Sequence, residues 1–113
     1  MNKVPDFTDT ERDVVAQTVK ERYGKPVPVE TADAEIRLYP DDSELTEVPV
    51  LYWAERDCQF VIFKTGESRF RNQFFYSRRE QFGTGREEYD DILDCVVTLL
   101  QVQADHEAQR TGH

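Results

Sequence analysis

The sequence predicts an α+β fold in which two helices pack on an antiparallel four-stranded meander, in the order α-β-β-β-β-α. Apolar residues recur at three- and four-residue spacing near both ends of the chain, which is the helical pattern. Between them, apolar residues alternate with period two, and the connections are short enough to be hairpins. The 113 residues fit one two-layer domain, whose ends at 1–7 and 109–113 we expect to fray.

The first helix is predicted over residues 8–23. Thr8 and Glu11 match a capping box, in which the Thr hydroxyl and the Glu carboxylate each accept a hydrogen bond from a backbone N–H at the helix start. Gly24 suits the left-handed position that follows a helix, and Pro26 prevents continuation. One face of this helix is formed by Val14, Val15, Thr18, Val19 and Tyr23.

Four strands are predicted next, at 27–39, 48–54, 58–64 and 68–76. The second, third and fourth follow each other closely, so we expect them to pair as antiparallel neighbours.

A long second helix is predicted to follow a loop at 77–83 and to run to about residue 108. Thr84 and Glu87 match a second capping box at its start. Its apolar stripe recurs with helical spacing from Tyr89 to Leu100.

Both faces of the predicted sheet are apolar, whereas an antiparallel sheet with one face in water normally alternates apolar and polar residues. A two-residue turn at Gly66-Glu67 puts Phe70 and Phe74 on the face of Val50, and a slip of one residue would exchange that assignment. Because two helices cover only one face, we expect the other to bind a partner. The predicted partner-binding residues are Leu51, Trp53, Phe60, Ile62, Arg69, Arg71 and Phe75. The alternative is a monomer with one helix on each face, which we favour less because the sheet is small.

Charge is unevenly distributed along the chain. Residues 56–86 carry seven basic and three acidic side chains, whereas the whole chain has a net charge of −9. A helix N-terminus near glycines and arginines could hold an anion, so the second candidate site is the segment Arg78, Arg79, Gly83, Thr84, Gly85 and Arg86. It matches no phosphate-binding motif. The alternative role for these arginines is to pair with the protein's own acids, which we favour slightly.

Other function classes receive little support. The net charge of −9 opposes binding to nucleic acid and to anionic membranes, and no apolar run is long enough to span a membrane. No residue spacing suggests a metal site or a cofactor site, and nothing assembles a nucleophile with a base. We expect Cys58 and Cys95 to be buried thiols in a cytoplasmic protein that lacks a signal peptide.

These observations lead to two functional hypotheses. The first is a non-enzymatic binding or adaptor protein, homodimeric or bound to another protein through the aromatic sheet face. The second is a small-anion or nucleotide-binding domain that uses the basic Gly-Thr-Gly loop.

Overall fold

The fold is α+β, as predicted, in a computed structural model that describes residues 4–77 and 80–110. Its elements are α1 (Asp9–Tyr23), β1 (Glu30–Ile36), β2 (Thr46–Glu55), β3 (Cys58–Gly66), β4 (Arg69–Ser77), β5 (Glu80–Phe82) and α2 (Ile92–Arg110). The strands form one antiparallel sheet in the order β1-β2-β3-β4-β5. The short strand β5 lies in the segment that was predicted to be a loop, so the sheet has five strands instead of four.

The two helices pack together on one side of the sheet, and the main core lies between them and the sheet. Trp53, Phe60 and Phe74 point into this core from the strands, and Val15 and Leu99 enter it from the helices. A second, smaller cluster around Val48 and Val50 lies on the opposite side of the sheet. Each side of the sheet therefore has its own group of packed apolar side chains.

Helix α1 follows the local sequence signals closely. The Thr8 hydroxyl accepts a hydrogen bond from the Glu11 backbone N–H, and the Glu11 carboxylate accepts one from the Thr8 N–H, so the predicted capping box is confirmed. The helix ends at Gly24, whose φ of 69° is the left-handed conformation that favours glycine. These features need only a few neighbouring residues, which is why the sequence predicts them correctly.

The described part of the segment before α1 packs against the sheet. Val4 and Phe7 are buried, and the Val4 backbone N–H donates to Glu47 O at 3.1 Å. Lys64, itself buried, donates from Nζ to Asp6 O at 3.0 Å and to the Glu11 carboxylate at 2.8 Å. The lysine from β3 thus holds residues 4–7 against the sheet.

Helix α2 begins later than predicted. Its first residue is Ile92, and the Cys95 N–H donates to Asp91 O at 3.0 Å, which places the helix start at Asp91. The Thr84 hydroxyl donates to Asn72 Oδ1 at 3.0 Å and lies 2.6 Å from the Tyr89 hydroxyl, so it does not cap a helix. The predicted second capping box is wrong because buried polar partners from the sheet hold Thr84. At the other end the helix continues to Arg110, two residues beyond the predicted end.

Candidate functional site

The register of the strands decides which residues share a face. The β2–β3 hairpin pairs Val50 with Phe63 and Trp53 with Phe60, as its two-residue turn predicts. In the β3–β4 hairpin an irregularity between Lys64 and Gly66 shifts the pairing by one residue. The shift is the slip that the sequence left open, and it exchanges the predicted faces of β4.

The predicted partner-binding residues are consequently divided between the two faces. Leu51, Trp53, Phe60 and Ile62 lie under the helices and are at most 2% exposed, so they do not form a surface. Phe75 and Arg71 lie on the opposite face, beside Gln59 and Phe63 respectively. Arg69 is exposed at the start of β4 and lies 3.8 Å from Glu88. The predicted grouping of all seven residues on one face is wrong, because the register shift separates β4 from it.

We call the side of the sheet away from the helices the open face. Its side chains alternate with those in the main core along each strand. Its strand residues include Glu30, Ala32, Ala34, Ile36, Val48, Val50, Tyr52, Ala54, Gln59, Val61, Phe63, Arg71, Gln73 and Phe75. Val4, before α1, packs against Val48 and Val50 on the same side. Among these described strand residues only Glu30 and Arg71 are charged, although a third of the whole chain is charged. The open face is thus poor in charge in a protein that is rich in charge.

The two sides of strand β1 differ in polarity. Ala32, Ala34 and Ile36 point to the open face, whereas Thr31, Asp33 and Glu35 point to the helix side. The last three are exposed, so the helices do not extend over β1. On a strand that no helix covers, the apolar side chains should point towards whatever excludes water. In β1 they point to the open face.

Two grooves lie on the open face. The larger, of about 620 Å³, is lined by Val50, Tyr52, Val61, Phe75 and Glu30 among others. The Glu30 carboxylate beside the Tyr52 hydroxyl on the neighbouring strand raises the pKa of Tyr52.

The second groove, of about 450 Å³, combines Ile36 and Phe63 with Arg37, Arg71 and Arg86. We call it the arginine groove. Glu87 is the acidic residue in the same lining, so the three arginines give the groove a net positive charge.

The basic segment predicted to bind an anion is arranged differently from the expectation. Gly83, Thr84, Gly85 and Arg86 precede α2 by several residues, so they do not form its N-terminus. Arg86 lies 3.2 Å from Asp94 and stacks on the Tyr89 ring, with 4.6 Å from its guanidinium carbon to the ring centroid. Arg78 and Arg79 lie outside the described residues. The observation on which the anion site rested, a helix start beside these residues, is absent.

A buried polar network holds this segment in place. Asn72 donates from Nδ2 to Cys95 O at 2.9 Å and accepts from the Thr84 hydroxyl, so it joins β4, the loop and α2. Tyr89 and Phe70 exchange two backbone hydrogen bonds, at 2.7 and 2.8 Å. The loop is thereby fixed beside the sheet, and it forms one wall of the arginine groove.

The two thiols are buried, as expected. Burial raises the pKa of Cys95 to about 12, so its thiol stays protonated at neutral pH and is a poor nucleophile. Among residues 4–77 and 80–110, no group of three or more His, Cys, Asp or Glu side chains is placed to hold a metal ion.

Sequence reasoning missed the part of β1 that completes the open face. Glu30, Ala32 and Arg37 were not among the predicted site residues. The signal that could have found them is the alternation of Ala32, Ala34 and Ile36 with acidic residues, but it indicates a face only when the position of the helices is known.

Comparison with known proteins adds no relative: no protein-family model, curated protein or solved structure matches the chain. Within the described part of the chain, no helix is long and apolar enough to cross a membrane. The site must therefore be interpreted from its own geometry.

Proposed function

We propose that this chain is a non-enzymatic binding protein that works as a homodimer, with the open face buried between two copies. The observation that carries this proposal is the alternation in β1. Ala32, Ala34 and Ile36 point to a face that no helix covers, and Asp33 and Glu35 point away from it. Ala34 and Ile36 pack on the cluster of Val4, Val48 and Val50, but Ala32 on the same side is exposed, so one chain covers this side of β1 only in part.

The low charge of the open face supports a second copy as the partner. Two chains of net charge −9 repel each other, and the repulsion is weakest where the contacting surfaces carry little charge. Among the strand residues that point to the open face, Glu30 and Arg71 carry opposite charges. A strongly basic partner would instead be attracted to acidic surfaces, which lie elsewhere on the molecule.

The sizes of the side chains also suit the packing of one sheet on another. Packed sheets lie about 10 Å apart, which requires small or interdigitating side chains. Alanines at 32, 34 and 54 lie around the larger Tyr52, Val61 and Phe75. The grooves between them can receive side chains of an opposing sheet.

The second hypothesis, a small-anion or nucleotide site in the loop at 83–86, has lost its support. Arg86 is paired with Asp94, and Arg69 and Arg71 both lie within 4.0 Å of Glu88. These contacts favour the alternative that the arginines neutralise the protein's own acids.

A charge introduced into the open face tests the proposal. We expect Val61→Glu to convert the dimer to a monomer while the fold is retained, because Val61 is half-buried and faces away from the helices. The measurements are sedimentation equilibrium for the mass and far-UV circular dichroism for the fold. Leu93→Glu is the matched control, since Leu93 is 49% exposed on α2, and its mass should equal that of the unchanged chain.

Two results would count against the proposal. One is a monomeric mass for the unchanged chain at protein concentrations of hundreds of micromolar. The other is a dimer that Val61→Glu leaves intact, because a buried, unpaired carboxylate in an apolar contact costs several kcal/mol.

A further inference from the structure

We infer that the homodimer has a two-fold axis that places Glu30 of each copy against the arginine groove of the other. The inference rests on the proposed function and adds its geometry: which ends of the open face meet, and which side chains from the second copy complete the groove. Three observations support it: the positions of Glu30 and Arg71, the apolar residues between them, and the exposure of Arg37 beside Arg71.

The charged residues of the open face occupy opposite corners. Glu30 begins a row of cross-strand neighbours that continues through Tyr52 and Val61 to Gln73. Arg71 ends the adjacent row, which starts at Ala32. Glu30 and Arg71 are thus three strands apart, which is about 14 Å at the usual spacing of about 4.8 Å, and two residues apart along the strands.

The centre between these corners is apolar. Val50 and Tyr52 from β2 and Val61 and Phe63 from β3 fill the two rows there. A two-fold axis that lies in the plane of the face, passes through this centre and is perpendicular to the line from Glu30 to Arg71 exchanges the corners. It therefore stacks the apolar centres of the two copies and sets each Glu30 opposite the other copy's Arg71. Such isologous contacts occur twice by symmetry.

The arginine groove contains hydrogen-bond donors that can bind a carboxylate. Arg71 gives one hydrogen bond, from Nη2 to Leu38 O at 2.5 Å, and its Nε is buried without a hydrogen bond to the described residues. Its closest acid is Glu88, at 4.0 Å from that Nε. Arg37 is exposed, lines the groove beside Arg71, and makes no ion pair with residues 4–77 or 80–110. An exposed guanidinium beside an apolar surface is a suitable partner for a carboxylate from a second chain.

Glu30 is positioned to supply that carboxylate. It is the charged residue in the lining of the larger groove, and it lies opposite Tyr52 on the neighbouring strand. One end of the face therefore carries a negative group and the other a positive group, with apolar residues between. Such a surface is complementary to itself when it is turned by half a revolution.

A charge exchange tests this arrangement. Glu30→Arg and Arg37→Glu should each weaken the homodimer by about tenfold or more, because both symmetric pairs become like-charged. The double variant Glu30→Arg/Arg37→Glu, which exchanges both charges in one chain, should regain most of the affinity. Dissociation constants come from sedimentation equilibrium, and circular dichroism verifies the fold of each variant.

Mixing the two single variants gives a sharper result. In a heterodimer of Glu30→Arg with Arg37→Glu, both symmetric contacts again join an arginine to a glutamate. Native mass spectrometry of an equimolar mixture should then find heterodimers well above the half that random pairing gives.

Asp33→Arg is the matched control for this experiment. It makes the same change of charge on the same strand, but its side chain points to the helix side and is exposed. We expect it to leave dimer affinity within about threefold of the unchanged chain, because it alters only long-range repulsion.

The outcomes separate the two proposals. A monomeric unchanged chain would overturn the proposed function together with this geometry. A stable dimer in which Glu30→Arg acts no more strongly than Asp33→Arg, or in which the mixture pairs at random, would overturn this geometry alone.

Discussion

The two faces of the sheet are both apolar, but they are built from different residues. The covered face, under α1 and α2, holds large side chains such as Trp53, Phe60 and Phe74, which are at most 2% exposed. The open face holds alanines and half-buried residues such as Val61, and Tyr52 remains 38% exposed. The degree of burial therefore distinguishes the core of one chain from a surface that we propose to be buried more fully between two copies.

The neighbouring residues Phe60 and Val61 give the largest expected contrast. Phe60→Ala should lower the free energy of unfolding by about 3–5 kcal/mol, because it leaves a cavity under the helices. Val61→Ala should cost about 1 kcal/mol in dilute solution. Urea denaturation at about 1 µM protein measures both.

The costs of Phe60→Ala and Val61→Ala in free energy of unfolding should depend differently on protein concentration. If the open face is an interface, the cost of Val61→Ala should increase with protein concentration, because association stabilises the folded chain. The cost of Phe60→Ala should stay large throughout. Equal costs for the two variants at low concentration would mean that the open face is as well packed within one chain as the covered face.

The polar neighbours Asn72 and Gln73 give a smaller contrast. Asn72→Ala should destabilise the fold by about 1–3 kcal/mol, because Asn72 is buried and bonds both Thr84 and the Cys95 carbonyl. Gln73→Ala, on the open face, should change the free energy of unfolding by no more than about 0.5 kcal/mol.

Hydrogen exchange locates the effect of Asn72→Ala. The amides of the loop at 83–91 should exchange faster in this variant than in Gln73→Ala. Unchanged protection of that loop would show that the Asn72 network does not position it.

A loss of stability in alkaline solution is also expected, and neutral pH does not show it. Burial raises the pKa of Tyr23 to about 12, and burial likewise raises that of Cys95 to about 12. Both groups hold their protons more tightly when folded, so unfolded chains ionise first, near the ordinary values of 10 for Tyr23 and 9 for Cys95. Stability should be constant below about pH 9 and fall as the pH rises towards 12. Urea denaturation at several pH values measures the slope, and Tyr23→Phe should make it shallower. An identical slope in Tyr23→Phe would show that Tyr23 does not contribute to the loss of stability.

The elements that sequence reasoning predicted correctly depend on close neighbours. The α1 cap uses Thr8 and Glu11, three residues apart, and the β2–β3 register follows from a tight turn at Arg56 and Asp57, which both have positive φ. The start of α2 has equally good local signals at Thr84, yet the helix begins at Asp91. There the buried partners Asn72 and Tyr89 hold the Thr84 hydroxyl more effectively than a helix end could.

The candidate site was predicted only in outline. The sequence indicated that both faces are apolar and that one of them lacks a cover, but it could not indicate which. One extra residue between Lys64 and Gly66 moved Phe75 and Arg71 to the open face and left Trp53 in the core. Because side chains alternate with period two, a shift of one residue reverses every assignment on a strand.

The sequence by itself determined the fold class, the α1 cap, the β2–β3 pairing and the excess of apolar residues on the sheet. These follow from periodicity, from turns and from contacts within a few residues. Only the tertiary structure decided the β4 register, the short strand β5, the start of α2 and the meeting of Arg37 with Arg71. Each of these depends on side chains that are distant in the sequence and compete for the same buried space. The spacing of residues within one segment does not show which of them will occupy it.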